Sequence, residues 1–273
     1  MKLISGGTTK TSMEVFLLRF FVIFVSAFEF VFMDTLLQAA GDPMGAAIYD
    51  YFKNGQAGRL VVHSSMFEDD EIPVEGLFRE FEQMPQLEQV ALEMADGRIL
   101  DVGAGAGCHS LELQRMGKSV KAIDISPLSV AVMKERGVDA SLVNFYDGSF
   151  SDKYDTILML MNGTGIIGNI DNIPAFFARL KQLVNPEGCV LIDSSDLRYL
   201  FEEEDGSLMI DLADDYYGLL DYQMEYKDVK GESFDWLYLD FETLAFYAEE
   251  NGFRAELVAE GEHYDYLAAL YME

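Results

Sequence analysis

From residue 98 onward, short apolar runs alternate with stretches whose apolar residues recur at helical spacing. The runs over 98–102, 119–124, 140–145, 154–161 and 189–192 are short and mostly apolar, as strands covered on both faces require. The stretches 108–116, 127–136 and 172–184 read as the helices between them. Ser126-Pro127 supplies an N-cap and a first-turn proline, while Gly117 and Gly137 close helices. Alternating strands and helices predict an α/β fold with a parallel sheet and right-handed crossovers. The turn Asn185-Pro186-Glu187-Gly188 leads into the fifth strand, and 193–206 reads as a polar linker. The aromatic-rich stretches 219–227 and 233–239, separated by Asp228-Val229-Lys230-Gly231, predict an antiparallel hairpin. A helix over 240–251 stops at Gly252, and strands over 254–259 and 264–271 close the chain.

Upstream of residue 98 the spacing predicts helices over 44–52, 74–84 and 85–94, with a loop at 54–58. The first 32 residues differ. Residues 15–32 are nearly continuous hydrophobe, long enough to approach the ~20 residues of a membrane span, yet they contain Arg19 and Glu29. No clear small-residue cleavage site follows, and Met33-Asp34-Thr35-Leu36-Leu37-Gln38 reads as an ordinary N-terminus. Three readings stay open for 1–32: an artefactual or disordered extension, a membrane anchor, and a signal peptide. The expected organisation is this extension, an N-terminal helical segment over 33–97, and a main domain over 98–273 with a hairpin insertion at about 194–239.

The candidate chemistry lies where the first strand ends. Leu100-Asp101-Val102-Gly103-Ala104-Gly105-Ala106-Gly107 is a strand running into alternating glycines, and a helical pattern follows at once. Glycine admits positive φ and close ligand approach, and a helix N-terminus presents free N–H groups. Asp124 ends the second strand about 20 residues after Gly103, where a ribose-binding acid stands in such units. A dinucleotide turn would need a glycine at position 108, which is Cys108, and this disfavours a nicotinamide-dependent oxidoreductase.

The acidic residue before G-x-G-x-G, with Asp124 downstream, resembles motif I of the class I S-adenosylmethionine-dependent methyltransferases. Leu183-Val184-Asn185-Pro186-Glu187-Gly188 resembles that family's turn before strand five, with Glu187 in place of a glycine. The resemblance implies a Rossmann-like seven-stranded mostly parallel sheet with helices on both faces and an antiparallel terminal strand. It implies S-adenosyl-L-methionine as cofactor and direct in-line methyl transfer. Asp101 would hold the turn and the cofactor's amino group; Gly103, Ala104, Gly105 and Gly107 would give backbone approach. Asp124, with Ile125 beside it, would take the ribose. Asn144, with Phe145, would meet the adenine edge, with Asp147 as competitor. Asn162 stands at the tip of strand four, where that fold faces the transferred methyl. Asp193 and Asp196 follow strand five and, with Asn162, are the catalytic candidates, able to orient a nucleophile, bind an amine or act as base.

The N-terminal segment would act as a lid, with Tyr49, Tyr51, Phe78 and Arg79 as candidates. Tyr216, Tyr217, Tyr222, Tyr226, Trp236 and Tyr238 would wall a substrate pocket, although strand alternation puts only about half on one face.

Charge narrows the substrate. With 48 acidic against 19 basic residues the net charge is −29, which argues against a phosphate-binding surface. The residues after Asn162 also depart from the Asn-Pro-Pro-Tyr motif of DNA amino-methylating enzymes. A small molecule is the expected substrate, with a protein as the less favoured one and a non-catalytic cofactor-binding or interaction module as the competing reading. Cys108 and Cys189 read as small buried hydrophobes, and His63, His109 and His263 lack metal-ligand spacing, so no metal is expected. The location follows as cytoplasmic, with a membrane anchor open through residues 15–32. Oligomeric state is not legible.

Overall fold

The computed structural model describes residues 36–201 and 216–273, so the readings for 1–32 and for the acidic end of the polar linker lie outside the described residues. In chain order the elements are α1 (Pro43–Asn54), β1 (Leu60–His63), β2 (Asp70–Ile72), α2 (Gln86–Met94), β3 (Arg98–Val102), α3 (Cys108–Arg115), β4 (Ser119–Asp124), α4 (Pro127–Glu135), β5 (Ala140–Leu142), β6 (Tyr154–Met159), α5 (Ile173–Leu183), β7 (Val184–Ser195), β8 (Leu219–Tyr226), β9 (Val229–Lys230), β10 (Phe234–Leu237), α6 (Phe241–Glu250), β11 (Phe253–Glu260) and β12 (Asp265–Met272).

Seven strands form one sheet in the order β11-β12-β7-β6-β3-β4-β5. Strands β3 to β7 pair in parallel, and β12 alone runs against its neighbours, β7 on one side and β11 on the other. This is the Rossmann-like sheet expected from the sequence. Its central strands are buried on both faces, with Ile99, Leu100, Ile157, Leu158, Val190 and Leu191 fully shielded from solvent. Phe176 and Phe177 on α5 are equally buried. Burying each such side chain stabilises the fold by roughly 1.5–3 kcal/mol.

The capping signals act as read. Ser126 accepts the Ser129 N–H at the start of α4, with Pro127 in the first turn. Asp240 accepts from Thr243 N–H at the start of α6, and Gly252 adopts positive φ after it. The turn before strand five is different from its reading. Asn185–Gly188 belongs to the long β7, and the register with β6 shifts between Tyr154↔Val184 and Thr156↔Cys189. The loop-forming residues bulge out of one continuous strand instead of preceding it.

Two further expectations are corrected. The helix over 74–84 is two short 3-10 turns, Val74–Phe78 and Phe81–Gln83. Arg79 between them leaves helical geometry with ψ 151°, and its guanidinium is held by the Gly76 carbonyl and by Glu88. The N-terminal segment is also not wholly helical. Its strands β1 and β2 pair with each other, and β1 pairs antiparallel with β8. The predicted hairpin exists, with β8 against β10 and β9. It is completed by chain from the other end of the sequence into a sheet ordered β10-β8-β1-β2.

Tyr226 locks this second sheet in place. Fully buried, it packs with Ala47, Ile48 and Leu60, and with Ala106 and Val132 of the main domain. Its hydroxyl donates to Asp50 at 2.9 Å and accepts from the Gly58 N–H at 3.0 Å. Tyr226→Phe should lower unfolding stability by about 1 kcal/mol and Tyr226→Ala by about 3–5 kcal/mol, read by urea denaturation.

Candidate functional site

Three carboxylates hold the turns at the C-terminal ends of the sheet strands. The first is Asp101, buried in β3, which accepts from the Ser110 hydroxyl at 2.6 Å and so ties strand to helix. Burial raises its pKa. Above it Gly103, Gly105 and Gly107 have φ of 70°, 55° and 80°. Their reasons for being glycine differ. A Cβ on Gly107 would lie 2.9 Å from Met133 Cγ, so packing forbids it. A Cβ on Gly105 would meet no protein atom within 4 Å. That side of the turn faces open space, as a ligand-facing backbone should.

The second carboxylate is Asp124. Its Oδ2 accepts the Gly105 N–H and its Oδ1 the Ser126 N–H, both at 2.8 Å. Each oxygen keeps one lone pair, enough for the two hydroxyls of a ribose. Burial pushes this carboxyl up to about 6 despite the two N–H donors. The N-terminal segment is attached beside it. Ser126 Oγ donates to Asp42 Oδ2 at 2.5 Å, and Leu37 N–H donates to the Ile125 carbonyl at 3.0 Å. Asp42 is fully buried and caps α1 through the Gly45 N–H. The sequence reading missed Asp42 and this role for Ser126; the Asp42-Pro43 pair was the signal, a helix N-cap before a first-turn proline.

The third is Asp193. Its two oxygens accept the Met161 and Gly163 N–H groups, each at 2.9 Å. Met161 and Asn162 both have left-handed φ, 68° and 61°. Two consecutive non-glycine residues in that region are strained, and such strain persists where surrounding contacts enforce it. Burial raises the Asp193 carboxyl to about 6. Asn162 Oδ1 lies 3.4 Å from Ser195 Oγ. Asp196, in contrast, is committed to the Arg198 guanidinium at 2.6 Å and to the Tyr217 hydroxyl at 3.0 Å.

At the tip of β5 Asn144 is buried and accepts the Tyr146 N–H at 2.9 Å. Phe145 beside it packs on Phe176 with centroids 5.6 Å apart. Its side chain belongs to the core. Asp147 accepts the Ser149 N–H at 2.8 Å.

The lid candidates sit in different surroundings. Arg79 lies in a buried ion group: it pairs with Glu88, whose Oε2 is also 2.7 Å from His109 Nε2. His109 is the second residue of α3, directly after the glycine turn. The Glu88–His109 contact joins the N-terminal segment to that turn, a link no spacing in the sequence reveals. Phe78 packs at a tilt on Tyr51 with centroids 4.7 Å apart, and Arg136 covers its ring while donating to the Ala106 carbonyl. Tyr49 is half-exposed beneath Lys53.

The six wall aromatics divide as well. Tyr226 points into the core, and the hydroxyls of Tyr216 and Tyr217 donate to Asp240 at the start of α6. Tyr222 and Tyr238 bring their hydroxyls within 3.0 Å of each other. Trp236 lies flat on the 3-10 turn Gly163–Ile167, where a Cβ on Gly165 would be 2.0 Å from the indole. Behind it the Thr164 hydroxyl lies 2.7 Å from Ser194 Oγ and 2.9 Å from the Leu237 carbonyl.

Comparison with known proteins gives three findings. The family model described as "Methyltransferase domain" matches residues 77–257. A crystal structure of an S-adenosylmethionine-dependent methyltransferase from Bacteroides fragilis, in complex with S-adenosyl-L-homocysteine, is 61% identical, with a TM-score of 0.83 over 88% of this chain and 98% of that one. Two curated relatives match over 104 residues, 36% of this chain: a ubiquinone biosynthesis O-methyltransferase of Azorhizobium caulinodans at 26% identity and a demethylmenaquinone methyltransferase of Tropheryma whipplei at 32%. The match spans 40% and 41% of those two proteins.

The two glycines should respond differently to alanine. Gly107→Ala meets Met133 and a positive φ together, and should lower the melting temperature by several degrees. Gly105→Ala, strained only by its φ, should cost about 1 kcal/mol of stability. It should nevertheless weaken S-adenosylhomocysteine binding at least tenfold in calorimetry.

Proposed function

Because this chain belongs to the methyltransferase-domain family, we propose that it transfers a methyl group from S-adenosyl-L-methionine to a small molecule. The observation that supports this most is the Asp124–Gly105 pair: a positive-φ turn open on its outer side, with a carboxylate that retains a lone pair on each oxygen. The substrates named for the relatives stay theirs, since the shared length is a minority of those proteins.

Asp124 would accept from the ribose hydroxyls, and Gly103 to Gly107, with Ala104 among them, would bring backbone against the adenosine and methionine parts. Asp101 stays behind the turn on Ser110 and supports it. Asn144 and the backbone of Phe145 would border the adenine, and Ile125, half-exposed after Asp124, would cover it. Met161 and Asn162 would present the acceptor, with Asp193 holding their turn.

When bound, the cofactor supplies a methyl group already activated by its sulfonium. The protein's part is alignment and exclusion of water, which supply roughly 7–11 kcal/mol in favourable cases. A body made of 98–193 and 240–273 would hold the cofactor. A cover made of the N-terminal segment and 219–237 would face the substrate. The strained Met161–Asn162 turn marks this end of the sheet as a functional one, since such strain clusters at active sites and ligand clamps.

Asp124 gives a pH signature. Its folded pKa is raised to about 6, above the unfolded ~3.9. The carboxyl therefore adds most to stability below pH ~4, and that contribution is lost as pH rises through 6. Ligand affinity runs oppositely, since the ionised form accepts the diol. Calorimetry against S-adenosylhomocysteine should show affinity constant above pH 7 and falling up to tenfold per unit below 6. Asp124→Ala should lose at least a hundredfold at pH 7.5, as two charged hydrogen bonds at ~1.5–3 kcal/mol each imply. Undiminished binding by Asp124→Ala would remove this reading.

A further inference from the structure

Ser126 makes three hydrogen bonds, and the third is not needed for its cap. Its backbone N–H donates to Asp124 Oδ1 at 2.8 Å, and its hydroxyl oxygen accepts the Ser129 N–H at 2.9 Å as the N-cap of α4. A capping serine uses only a lone pair of its hydroxyl, which leaves the proton for another acceptor. Here the proton goes to Asp42 Oδ2 at 2.5 Å, across 84 positions of sequence. Asp42 is fully buried, and its other oxygen accepts the Gly45 N–H at 2.8 Å. Contacts therefore run unbroken from α1 through Asp42, Ser126 and Asp124 to Gly105 on the glycine turn.

Two more observations set this contact apart from a plain helix cap. A Cβ on Gly45 would lie 2.2 Å from Asp42 Oδ2 and 2.3 Å from Ser126 Oγ. Glycine is a poor helix former, yet a side chain at this point of α1 would collide with the Asp42–Ser126 pair. The Leu37 N–H, from the same segment, donates to the Ile125 carbonyl at 3.0 Å. The turn after β4 is thus tied to the N-terminal segment at two successive residues, Ile125 and Ser126. Capping α1 accounts for one oxygen of Asp42 and leaves the other unexplained. Burying a carboxylate to hold a serine proton is costly, since water would serve that proton as well.

We propose that Asp42 is a positioning residue for the cofactor: by holding Ser126 it fixes the Ser126 N–H, and through that N–H the direction in which Asp124 offers its free lone pairs. The proposal rests on the methyl-transfer reading above, in which Asp124 takes the ribose hydroxyls. The torsion that turns an aspartate carboxylate is broad, so its orientation must come from its hydrogen bonds. Asp124 has one N–H on each oxygen, and together they set the carboxylate plane. The Gly105 donor sits on a turn open on its outer side, whereas the Ser126 donor is buried and held from behind. The N-terminal segment thereby acts on the ribose without touching it.

Calorimetry on the full chain at pH 7.5 tests this as a cycle between Asp42 and the ribose hydroxyls. S-adenosylhomocysteine is compared with its 2′,3′-dideoxy analogue, the weaker ligand read by competition. Asp42→Asn keeps an oxygen for the Gly45 N–H, and asparagine caps helices as well as aspartate does, so α1 stays capped. What it loses is the acceptor for the Ser126 hydroxyl. It should weaken S-adenosylhomocysteine about five- to tenfold and leave the dideoxy analogue unchanged, because that analogue has no hydroxyl for a misplaced Asp124 to miss. Ser126→Ala keeps the N–H but frees it from Asp42, and should show the same selectivity. Asp50→Asn breaks the contact of α1 with Tyr226 and leaves Ser126 alone, so both ligands should keep their affinity. Equal weakening of both ligands by Asp42→Asn would assign it to the stability of α1 and overturn the proposal. Undiminished S-adenosylhomocysteine binding by Asp42→Asn or Ser126→Ala overturns it too, as does the same selective loss in Asp50→Asn. Failure of the unmodified chain to bind S-adenosylhomocysteine, or to prefer it over the dideoxy analogue, overturns the reading of Asp124 instead.

Discussion

A buried carboxylate at the end of β4 holds the glycine turn at the end of β3, and the rest of the site is arranged around that contact. Asp124 does this with one N–H from each side, Gly105 and Ser126. Burying a charge is costly unless it is hydrogen-bonded, and here the cost shows as a carboxyl raised to about 6. Each oxygen keeps one lone pair for a further donor.

The same device recurs at Asp193, which holds the left-handed Met161–Asn162 turn through two backbone N–H groups. One carboxylate holds the glycine turn and the other the turn that follows β6. Between them, buried polar contacts attach the N-terminal segment: Asp42 to Ser126 on one flank and Glu88 to His109 on the other. Both contacts sit next to the glycine turn or Asp124. The N-terminal segment and the glycine turn are therefore joined through buried side chains.

The parallel strands were legible because short, mostly apolar runs alternating with helical spacing have few alternative folds, and their ends at Val102 and Asp124 agree with the structure. The turn chemistry was equally legible, since positive φ at Gly103, Gly105 and Gly107 is what alternating glycines are for. The second sheet was only half visible. Leu60–His63 is too short to declare itself, and it becomes a strand through pairing with β8, far along the chain. Tertiary context also decided the aromatics. Tyr222 and Tyr226 look alike in sequence, yet one meets Tyr238 and the other is buried on Asp50. Arg79 read as a lid cation, but a burial that sequence spacing cannot show places it on Glu88. Helix spacing over 74–84 breaks at that same residue, whose ψ of 151° is not helical.

A crystal structure of the full chain grown with S-adenosylhomocysteine addresses the role of Asp124 directly. The ribose hydroxyl oxygens should lie about 3 Å from Asp124, the ligand should pass over the open side of Gly105, and its sulfur should face the Met161–Gly163 turn. A ligand seated elsewhere, with Asp124 still bonded only to Gly105 and Ser126, would contradict the assignment.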